Sequence, residues 1–316
     1  MEKIAILLAT YNGEHYIKEQ IDSILNQTNK NFDLYIRDDN SVDKTKEIIK
    51  EYMKLHKNIF LIENYNFIEN HGASNNFLNL ISFLKTKQSY KYYMFSDQDD
   101  VWNENKIEKT LKEMKNTERV NGDIPILVHT DLMVVNQKLE ILDDSFFNYR
   151  CLNSSINKIN RLIIQNNVTG CTMMINRLLF DKIPVNKNTI KIAMHDWWIT
   201  LIACSFGKIS FLNESTIKYR QHEKNVVGAT KVKSFKFIFN RLFKKNYVKE
   251  TLNKAIIQAE EFYNVYNKEL KTEDKEIILK FISLKSEKKI KKIYIIFKYN
   301  YFKQGLIQKI GQILFI

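Results

Sequence analysis

The chain has 316 residues, of which 44% are hydrophobic and 27% charged, and this composition excludes a disordered protein. Its length suits one large α/β unit or a catalytic core with an appendage. The net charge of +13 is uneven, because residues 231–316 hold 20 Lys and Arg against 8 Asp and Glu while the remainder is almost neutral.

The cellular compartment is predicted from the cysteines and the N-terminal segment. Cys151, Cys171 and Cys204 are widely spaced among apolar neighbours, which favours buried free thiols in a reducing compartment. The apolar run in residues 1–10 is short for a secretory signal. No segment reaches the roughly 18 consecutive apolar residues of a membrane span. We therefore expect a cytoplasmic protein.

The first 135 residues alternate apolar runs with segments of helical period. Predicted strands cover 4–8, 32–36, 59–62, 92–95 and 126–135. Helices are predicted between them, one capped by Ser74 and one beginning at Asn103. This alternation predicts a doubly wound sheet covered by helices on both faces.

Beyond residue 140 the pattern is less regular. We expect a short segment at 166–175, a Trp-containing helix from about 195, and a pair of strands at 208–212 and 216–221. The chain from residue 231 onward is predicted to be helical and basic.

Polar side chains follow three predicted strands, where ligands gather in α/β sheets. Strand one leads into Thr10, Tyr11 and Asn12, strand two into Asp38 and Asp39, and strand four into SDQDD at 96–100. Neighbouring carboxylates repel unless a cation neutralises them, and oxygen ligands suit Mg²⁺ or Mn²⁺. Asp97, Asp99 and Asp100 therefore indicate a metal site, although one of them could merely cap the next helix and Asp38 and Asp39 could be turn residues.

Two further segments carry candidate site residues. Asp196 lies in MHDWW at 194–198, where Trp197 and Trp198 could form a sugar-facing wall or simply belong to the core. His222 could be a metal ligand or an exposed loop imidazole.

Six segments together resemble the family 2 inverting glycosyltransferases with the GT-A fold. In the family's order they are LLATYNG at 7–13, IRDDNSVDKT at 36–45, SDQDDVW at 96–102, NNVTGCTMM at 166–174, MHDWW at 194–198 and YRQHEKNVVG at 219–228. The spellings are most similar to bacterial rhamnosyltransferases of cell-wall and capsular polysaccharide. The resemblance implies a mixed α/β sheet flanked by helices, a GT-A catalytic domain over 1–228, and a basic helical C-terminal region over 229–316.

The resemblance also implies residue roles. Thr10, Tyr11, Asn12, Asp39 and Asp97 match donor-nucleotide positions, with Asp39 accepting from the pyrimidine N3–H, which selects uracil or thymine. The implied donor and acceptor loop contains Gly170, Trp197 and Arg220. Asp99 and His222 match metal ligands for Mn²⁺ or Mg²⁺, with Asp100 left open. Asp196 matches the catalytic base.

The implied reaction is an inverting transfer. Asp196 takes the proton of an acceptor hydroxyl, and the metal with Arg220 or other cations stabilises the departing diphosphate. The expected donor is dTDP-β-L-rhamnose and the acceptor a glycan, often lipid-linked. A UDP-hexose transferase of the same fold and a non-catalytic nucleotide-sugar-binding subunit are alternatives. A nucleotidyltransferase is disfavoured, since the chain lacks a glycine-rich, Lys-containing triphosphate loop. GASNNF at 72–77 departs from the family by placing Asn75 where many relatives have arginine.

The C-terminal region predicts an amphipathic basic helix. Within 288–316 the apolar residues at helical spacing are Ile290, Ile293, Tyr294, Phe297 and Tyr301, with lysines beside them. Such a helix suits the cytoplasmic face of an anionic inner membrane, making the protein peripheral. The alternative is a helix that packs on the core with a solvated lysine face. No nucleic-acid motif accompanies the charge.

Overall fold

The computed structural model describes residues 3–63, 65, 68, 71–87, 90–185, 191–222 and 245–316. They group into two compact units. The first comprises Met1–Ser145, Val168–Thr189 and Gly207–Gly228, and the second comprises Phe146–Asn167, Ile190–Phe206 and Ala229–Ile316. The domain boundary predicted after residue 228 stays a prediction, and the second unit also includes two segments from earlier in the chain.

The first unit contains a nine-stranded sheet. Its strands are β1 (Ile4–Thr10), β2 (Phe32–Asp38), β3 (Ile59–Leu61), β4 (Tyr92–Ser96), β5 (Val101–Trp102), β6 (Ile126–Val135), β7 (Ile141–Asp143), β8 (Met174–Asn176) and β9 (Lys208–Arg220). Their order is β3-β2-β1-β4-β8-β6-β9-β5, with β7 beside β6. The pairs among β1 to β4 are parallel, whereas β8 is antiparallel to both neighbours and β5 is antiparallel to β9. The sheet is therefore mixed.

Twelve helices are described. They are α1 (Ile17–Leu25), α2 (Thr45–Leu55), α3 (Ala73–Lys85), α4 (Lys106–Asn121), α5 (Phe146–Arg150), α6 (Ile159–Leu162), α7 (Arg177–Lys182), α8 (His195–Phe206), α9 (Lys245–Tyr266), α10 (Thr272–Ser283), α11 (Lys289–Tyr299) and α12 (Leu306–Phe315). None of these described helices is both long and apolar enough to cross a membrane.

The aliphatic runs explain where the core lies. All seven residues of β1 are buried, as a strand in the middle of a covered parallel sheet requires. Helix α1 buries Ile17, Ile21 and Ile24, which recur at helical spacing and form one apolar face. The repeated strand and helix pattern of the first half thus produces the expected layers.

Three local predictions were wrong. Helix α3 begins at Ala73 after Gly72, so Ser74 lies inside it rather than capping it. Helix α4 begins at Lys106, not at Asn103, because residues 101–102 first pair with β9 as a strand. Residues 208–220 form one strand beside β6, whose register shifts near Thr130, instead of a strand pair.

The second unit is helical around a buried tryptophan. Trp198 on α8 is fully buried and packs edge-on against Phe262 of α9, with ring centroids 5.3 Å apart, and near Tyr266. The core reading of Trp198 is therefore confirmed. Tyr301 is wrongly predicted as part of the apolar face of the basic helix, since α11 ends at Tyr299 and Tyr301 is fully buried.

The three cysteines are free thiols. Cys171 is buried, as predicted, whereas Cys151 and Cys204 are half-buried. Cys171 belongs to the sheet unit and lies at its polar edge.

Candidate active site

The predicted cluster of strand ends is present at one edge of the sheet. The register pairs Thr10 with Asp38, and Leu8 with Ser96, so the carboxyl ends of β1, β2 and β4 lie side by side. Because these strands are parallel, the three loops that follow them emerge at the same edge.

Gln98, the middle residue of SDQDD, connects the first loop to the fourth strand's loop. Its side-chain oxygen accepts from Thr10 Oγ1 at 2.6 Å and from the Tyr11 amide at 2.8 Å, and its amide nitrogen donates to the Tyr11 carbonyl at 3.1 Å. A Cβ atom on Gly13 would lie 2.5 Å from the same side chain. This close approach explains the glycine of LLATYNG.

The first loop is also joined to the second. The Asn12 amide donates to Ser41 Oγ at 2.7 Å, and the Gly13 amide donates to Thr45 Oγ1 at 2.8 Å. Asn12 adopts a left-handed backbone conformation with φ of 47°, which asparagine tolerates better than most residues. The loop expected to hold a nucleotide thus has a fixed backbone, while the Tyr11 ring stays exposed.

The two aspartates after β2 have different environments. Asp38 accepts from the Ser41 amide at 2.8 Å, which is the turn arrangement expected of the Asp-Asp-Asn-Ser sequence. Asp39 is buried and accepts from the Gly72 amide at 2.8 Å, and its other oxygen lies 3.4 Å from Arg37 Nη1 and 3.1 Å from His71 Nδ1. Burial lowers the pKa of Arg37, and Asp39 opposes that shift.

Asp99 and His222, the two predicted metal ligands, lie next to each other. Asp99 Oδ2 is 2.7 Å from His222 Nε2, and both side chains are largely buried. The antiparallel pairing of Trp102 with Ile217 and of Val101 with Lys218 brings these residues together across 123 positions of sequence. This contact is a hydrogen bond, and because adjacent ligands of one octahedral Mg²⁺ are about 3 Å apart, the two atoms are also close enough to share an ion.

Asp97 and Asp100 converge on a second group. One ligand atom from each, with Cys171 Sγ, lies within 4.8 Å of the others. Burial and the charges of Asp99 and Asp97 raise the pKa of Asp100 well above its ordinary value. Burial also raises the pKa of the Cys171 thiol, so it is a poor partner for a hard cation.

The Asp100 carboxylate is fully buried, and besides the Arg220 amide its neighbour is the weakly hydrogen-bonding Cys171 thiol. A buried carboxylate in such surroundings is costly, and a divalent cation would offset that cost. The chemistry of this donor set therefore fits Mg²⁺ or Mn²⁺.

Arg220 ends β9 and binds the loop that carries these carboxylates. Its Nε donates to the Asp99 carbonyl at 2.8 Å, its Nη1 donates to the Gln137 carbonyl at 2.6 Å, and its Nη2 pairs with Glu19. The Arg220 backbone amide also donates to Asp100 Oδ1 at 3.2 Å. Each of the three guanidinium nitrogens therefore has a hydrogen-bond or ion-pair partner within the protein.

The Tyr16 ring contacts both His222 and Arg220. The His222 ring stacks on the Tyr16 ring with centroids 4.9 Å apart, and the Arg220 guanidinium carbon lies 4.8 Å from the Tyr16 centroid. Such contacts hold flat groups in a defined orientation.

Gly170 opens a one-turn 3₁₀ helix, Gly170–Thr172, that leads into β8. Because β8 is antiparallel to β4, the start of β8 lies beside the end of β4, and this turn is at the sheet edge that carries the carboxylates. Gly170 itself is buried and precedes Cys171.

Asp196 and Trp197 belong to the second, helical unit. Asp196 lies in the first turn of α8, where its carboxylate accepts from the Trp197 amide at 2.5 Å. Trp197 is half-buried, and its indole nitrogen donates to the Leu162 carbonyl at 2.6 Å. One edge of this ring is therefore fixed within its own unit.

Comparison with known proteins identifies the family. The profile of Glycosyl transferase family 2 matches residues 5–182, more than half of the chain, and this range includes the three strand-end loops. The chain belongs to glycosyl transferase family 2. This family-2 chain is 30% identical over 271 residues to the dTDP-rhamnosyl transferase RfbG of Shigella flexneri, which covers 77% of the chain and 82% of that protein. It is 29% identical to the uncharacterized glycosyltransferase MJ1057 of Methanocaldococcus jannaschii, covering 69% and 70%.

The fold of this glycosyltransferase also has a solved counterpart. The mannosyltransferase PcManGT from Pyrobaculum calidifontis, solved in complex with GDP-Man and Mn²⁺, is similar with a TM-score of 0.52 and 12% identity. The likeness covers 99% of this chain and 86% of that one. The predicted GT-A fold, a mixed sheet with flanking and C-terminal helices, is confirmed.

Four site residues of this glycosyltransferase were not predicted from its sequence. Gln98 lies inside the SDQDDVW segment and Cys171 inside the NNVTGCTMM segment, so their positions in these segments could have indicated a role in the site. Tyr16 and Glu19 lie on or before α1 without any motif of their own. Their roles follow only from contacts with His222 and Arg220.

Proposed function

We propose that this glycosyltransferase moves L-rhamnose from dTDP-β-L-rhamnose to a glycan acceptor, with inversion at the anomeric carbon. The observation that supports dTDP-rhamnose as the donor is the 30% identity to a dTDP-rhamnosyl transferase over most of both chains. The acceptor we propose is a lipid-linked glycan of cell-wall or capsular polysaccharide at the cytoplasmic face of the membrane.

The loops after β1 and β2 would bind the nucleotide. Thymine N3–H can donate a hydrogen bond, and Asp39 offers a buried carboxylate to accept that hydrogen bond. An oxygen that already accepts from the Gly72 amide retains a second lone pair for this purpose. Thr10, Tyr11 and Asn12 would line the same nucleotide, with their loop fixed by Gln98 and Ser41.

Asp97, Asp99, Asp100 and His222 are the residues that would hold a divalent cation. When bound, Mn²⁺ or Mg²⁺ would neutralise charge on the departing diphosphate. The closeness of the buried Asp100 carboxylate to Asp97 and the 2.7 Å spacing of Asp99 and His222 support this assignment. Arg220 would keep the Asp99 loop in position.

Asp196 would act as the general base. A carboxylate accepts the proton of the acceptor hydroxyl while that oxygen attacks the anomeric carbon opposite the diphosphate. The proton ends on Asp196, the sugar–phosphate bond breaks, and an α-L-rhamnoside results. Gly170 and Trp197 would border the sugar.

A donor screen tests the sugar and the metal. Purified protein is assayed for donor turnover with dTDP-rhamnose, UDP-galactose, UDP-glucose and UDP-GlcNAc, each with Mn²⁺, Mg²⁺ or EDTA. We expect dTDP-rhamnose to dominate and EDTA to abolish turnover. A UDP-hexose turned over faster than dTDP-rhamnose would overturn the donor, and full activity in EDTA would overturn the metal.

Substitution of Asp196 tests the base. Asp196→Asn keeps the shape of the side chain but removes its basicity, so transfer should fall at least about a hundredfold while calorimetric donor binding persists. Asp123→Asn, at an exposed position in the sheet unit, is the matched control. Unchanged transfer by Asp196→Asn would refute the proposed role.

A further inference from the structure

Two helices of the second unit carry rows of exposed apolar side chains. On α11 the row is Ile290, Tyr294 and Phe297, which are 86%, 62% and 61% exposed. On α12 the row is Leu306, Ile310 and Leu314, which are 74%, 44% and 49% exposed. Scattered exposed apolar residues are ordinary, but rows at helical spacing on two helices are not.

Each row lies opposite the side by which its helix packs. Helix α11 buries Ile295 and Ile296, and α12 buries Gln308, Gly311 and Gln312. At 100° per residue these positions are on the far side of each helix from the exposed row. The helices are thus docked by one face and leave the other face, also apolar, in contact with solvent.

The two helices are neighbours. Lys289 Nζ at the start of α11 donates to the Leu314 carbonyl near the end of α12, at 2.9 Å. The connection turns at Asn300 and Gly305, both with positive φ. Near the turn the Phe297 and Phe302 rings are 5.0 Å apart. The two helices therefore run in opposite directions, with the start of α11 close to the end of α12, and we call their two exposed rows together the α11–α12 face.

Lysines surround this face. Residues 288–316 contain seven lysines and no aspartate or glutamate. Lys288, Lys289, Lys291, Lys298 and Lys309 are exposed. Lys291 also forms an ion pair with Glu287 at 2.7 Å.

We propose that the α11–α12 face binds the surface of an anionic lipid membrane, with its apolar rows among the acyl chains and its lysines at the headgroups. Apolar rows flanked by lysine are the features that such binding requires. A second copy of the chain fits less well, because a self-complementary contact would bring lysines against lysines. The sequence had indicated only α11, and α12 adds three exposed apolar side chains.

This inference extends the proposed function at the membrane, but its test needs no sugar donor. Full-length protein is sedimented with vesicles of equimolar phosphatidylglycerol and phosphatidylcholine, or of phosphatidylcholine alone, in low and high salt. We expect binding to the anionic vesicles only, weakened by salt.

Three double variants test which groups bind. Ile290→Ser with Phe297→Ser removes apolar surface on α11, and Leu306→Ser with Ile310→Ser does so on α12. Each should lower the partition coefficient at least about tenfold. Lys291→Gln with Lys298→Gln should lower it about 25-fold, since each cation near an anionic surface contributes about fivefold.

The matched control is Leu55→Ser with Val120→Ser, two equally exposed apolar positions in the sheet unit. It should bind like the unaltered protein. Circular dichroism verifies folding, and the lysine variant, which removes no apolar side chain, keeps the test valid if a serine variant unfolds. Donor turnover without vesicles should stay unchanged in every variant, so the membrane proposal and the proposed function can fail separately.

Four results would overturn the proposal. They are failure of the unaltered protein to bind anionic vesicles, equal binding to neutral vesicles, equal losses in the control, and a dimer that the α11 serine variant dissociates. The last result would assign the face to a second copy of the chain.

Discussion

Arg220→Lys separates a positioning role from direct contact with the diphosphate. The guanidinium donates to the carbonyls of Asp99 and Gln137 and pairs with Glu19, all from one planar group. Lysine preserves the charge but cannot reach these three acceptors together. At least one buried carbonyl then lacks its donor, at about 1–3 kcal/mol each.

We expect the free energy of unfolding to fall by about 1–3 kcal/mol, because the Asp99 carbonyl is the buried acceptor while Gln137 and Glu19 are exposed. Urea titrations followed by tryptophan fluorescence measure it. Because the Asp99 loop loses its restraint, the Mn²⁺ concentration for half-maximal donor turnover should also rise. Arg177→Lys is the control, since its exposed ion pair with Asp181 should contribute less than about 1 kcal/mol.

The reasoning would be refuted by a loss below about 1 kcal/mol together with an unchanged requirement for Mn²⁺. If Arg220 instead contacts the diphosphate, the same substitution should raise the KM for donor and leave stability unaffected. A positioning role therefore predicts lower stability and a higher Mn²⁺ requirement, whereas direct contact with the diphosphate predicts a higher KM for donor.

Three more substitutions test other parts of the structure. Burial lowers the pKa of Lys106 to about 8 from 10.5, so the unfolded chain holds this proton more tightly and stability increases as pH rises between those values. Lys106→Met should abolish that increase and stabilise the protein at pH 7 by about 3 kcal/mol. Urea titrations in EDTA at pH 7 and pH 10 measure both effects. Equal pH dependence of stability in both proteins would contradict this expectation. Gly207→Ala would put Cβ 1.8 Å from the Pro125 carbonyl oxygen, so we expect a loss of at least about 3 kcal/mol, and an unchanged melting temperature would disprove the clash. Trp198→Ala removes a fully buried ring beside Phe262 and should cost about 4 kcal/mol, measured in the same way; a loss under about 1 kcal/mol would argue against this core.

The sheet was predictable because its signals are local. The strand at 4–10 is continuous aliphatic sequence, and polar residues mark its end whatever its neighbours are. The wrongly predicted start of α4 shows the limit of such signals. Gln27 Oε1, 80 positions away, accepts from the Ile107 amide at 3.0 Å and satisfies the helix end without a local cap.

The same distinction applies to the site. Thr10, Asp39 and the SDQDD aspartates could be placed at one sheet edge, since strand order alone brings them there. The individual contacts could not be predicted. Whether Gln98 reaches Tyr11, or His222 reaches Asp99, depends on side-chain approach between distant segments, which residue spacing does not encode.

The short ladder between β5 and β9 has a consequence for how such enzymes can diversify. Two paired positions bring the SDQDD loop to His222, so the segments in between can lengthen, shorten or be exchanged without altering that distance. Segment 190–206 carries the proposed base Asp196 and must be kept, but 146–167 also leaves the sheet unit altogether. Natural variants and engineered grafts could therefore acquire new acceptor preferences there while inheriting an unaltered donor chemistry. Changes to the two residues of β5 should be tolerated far less often.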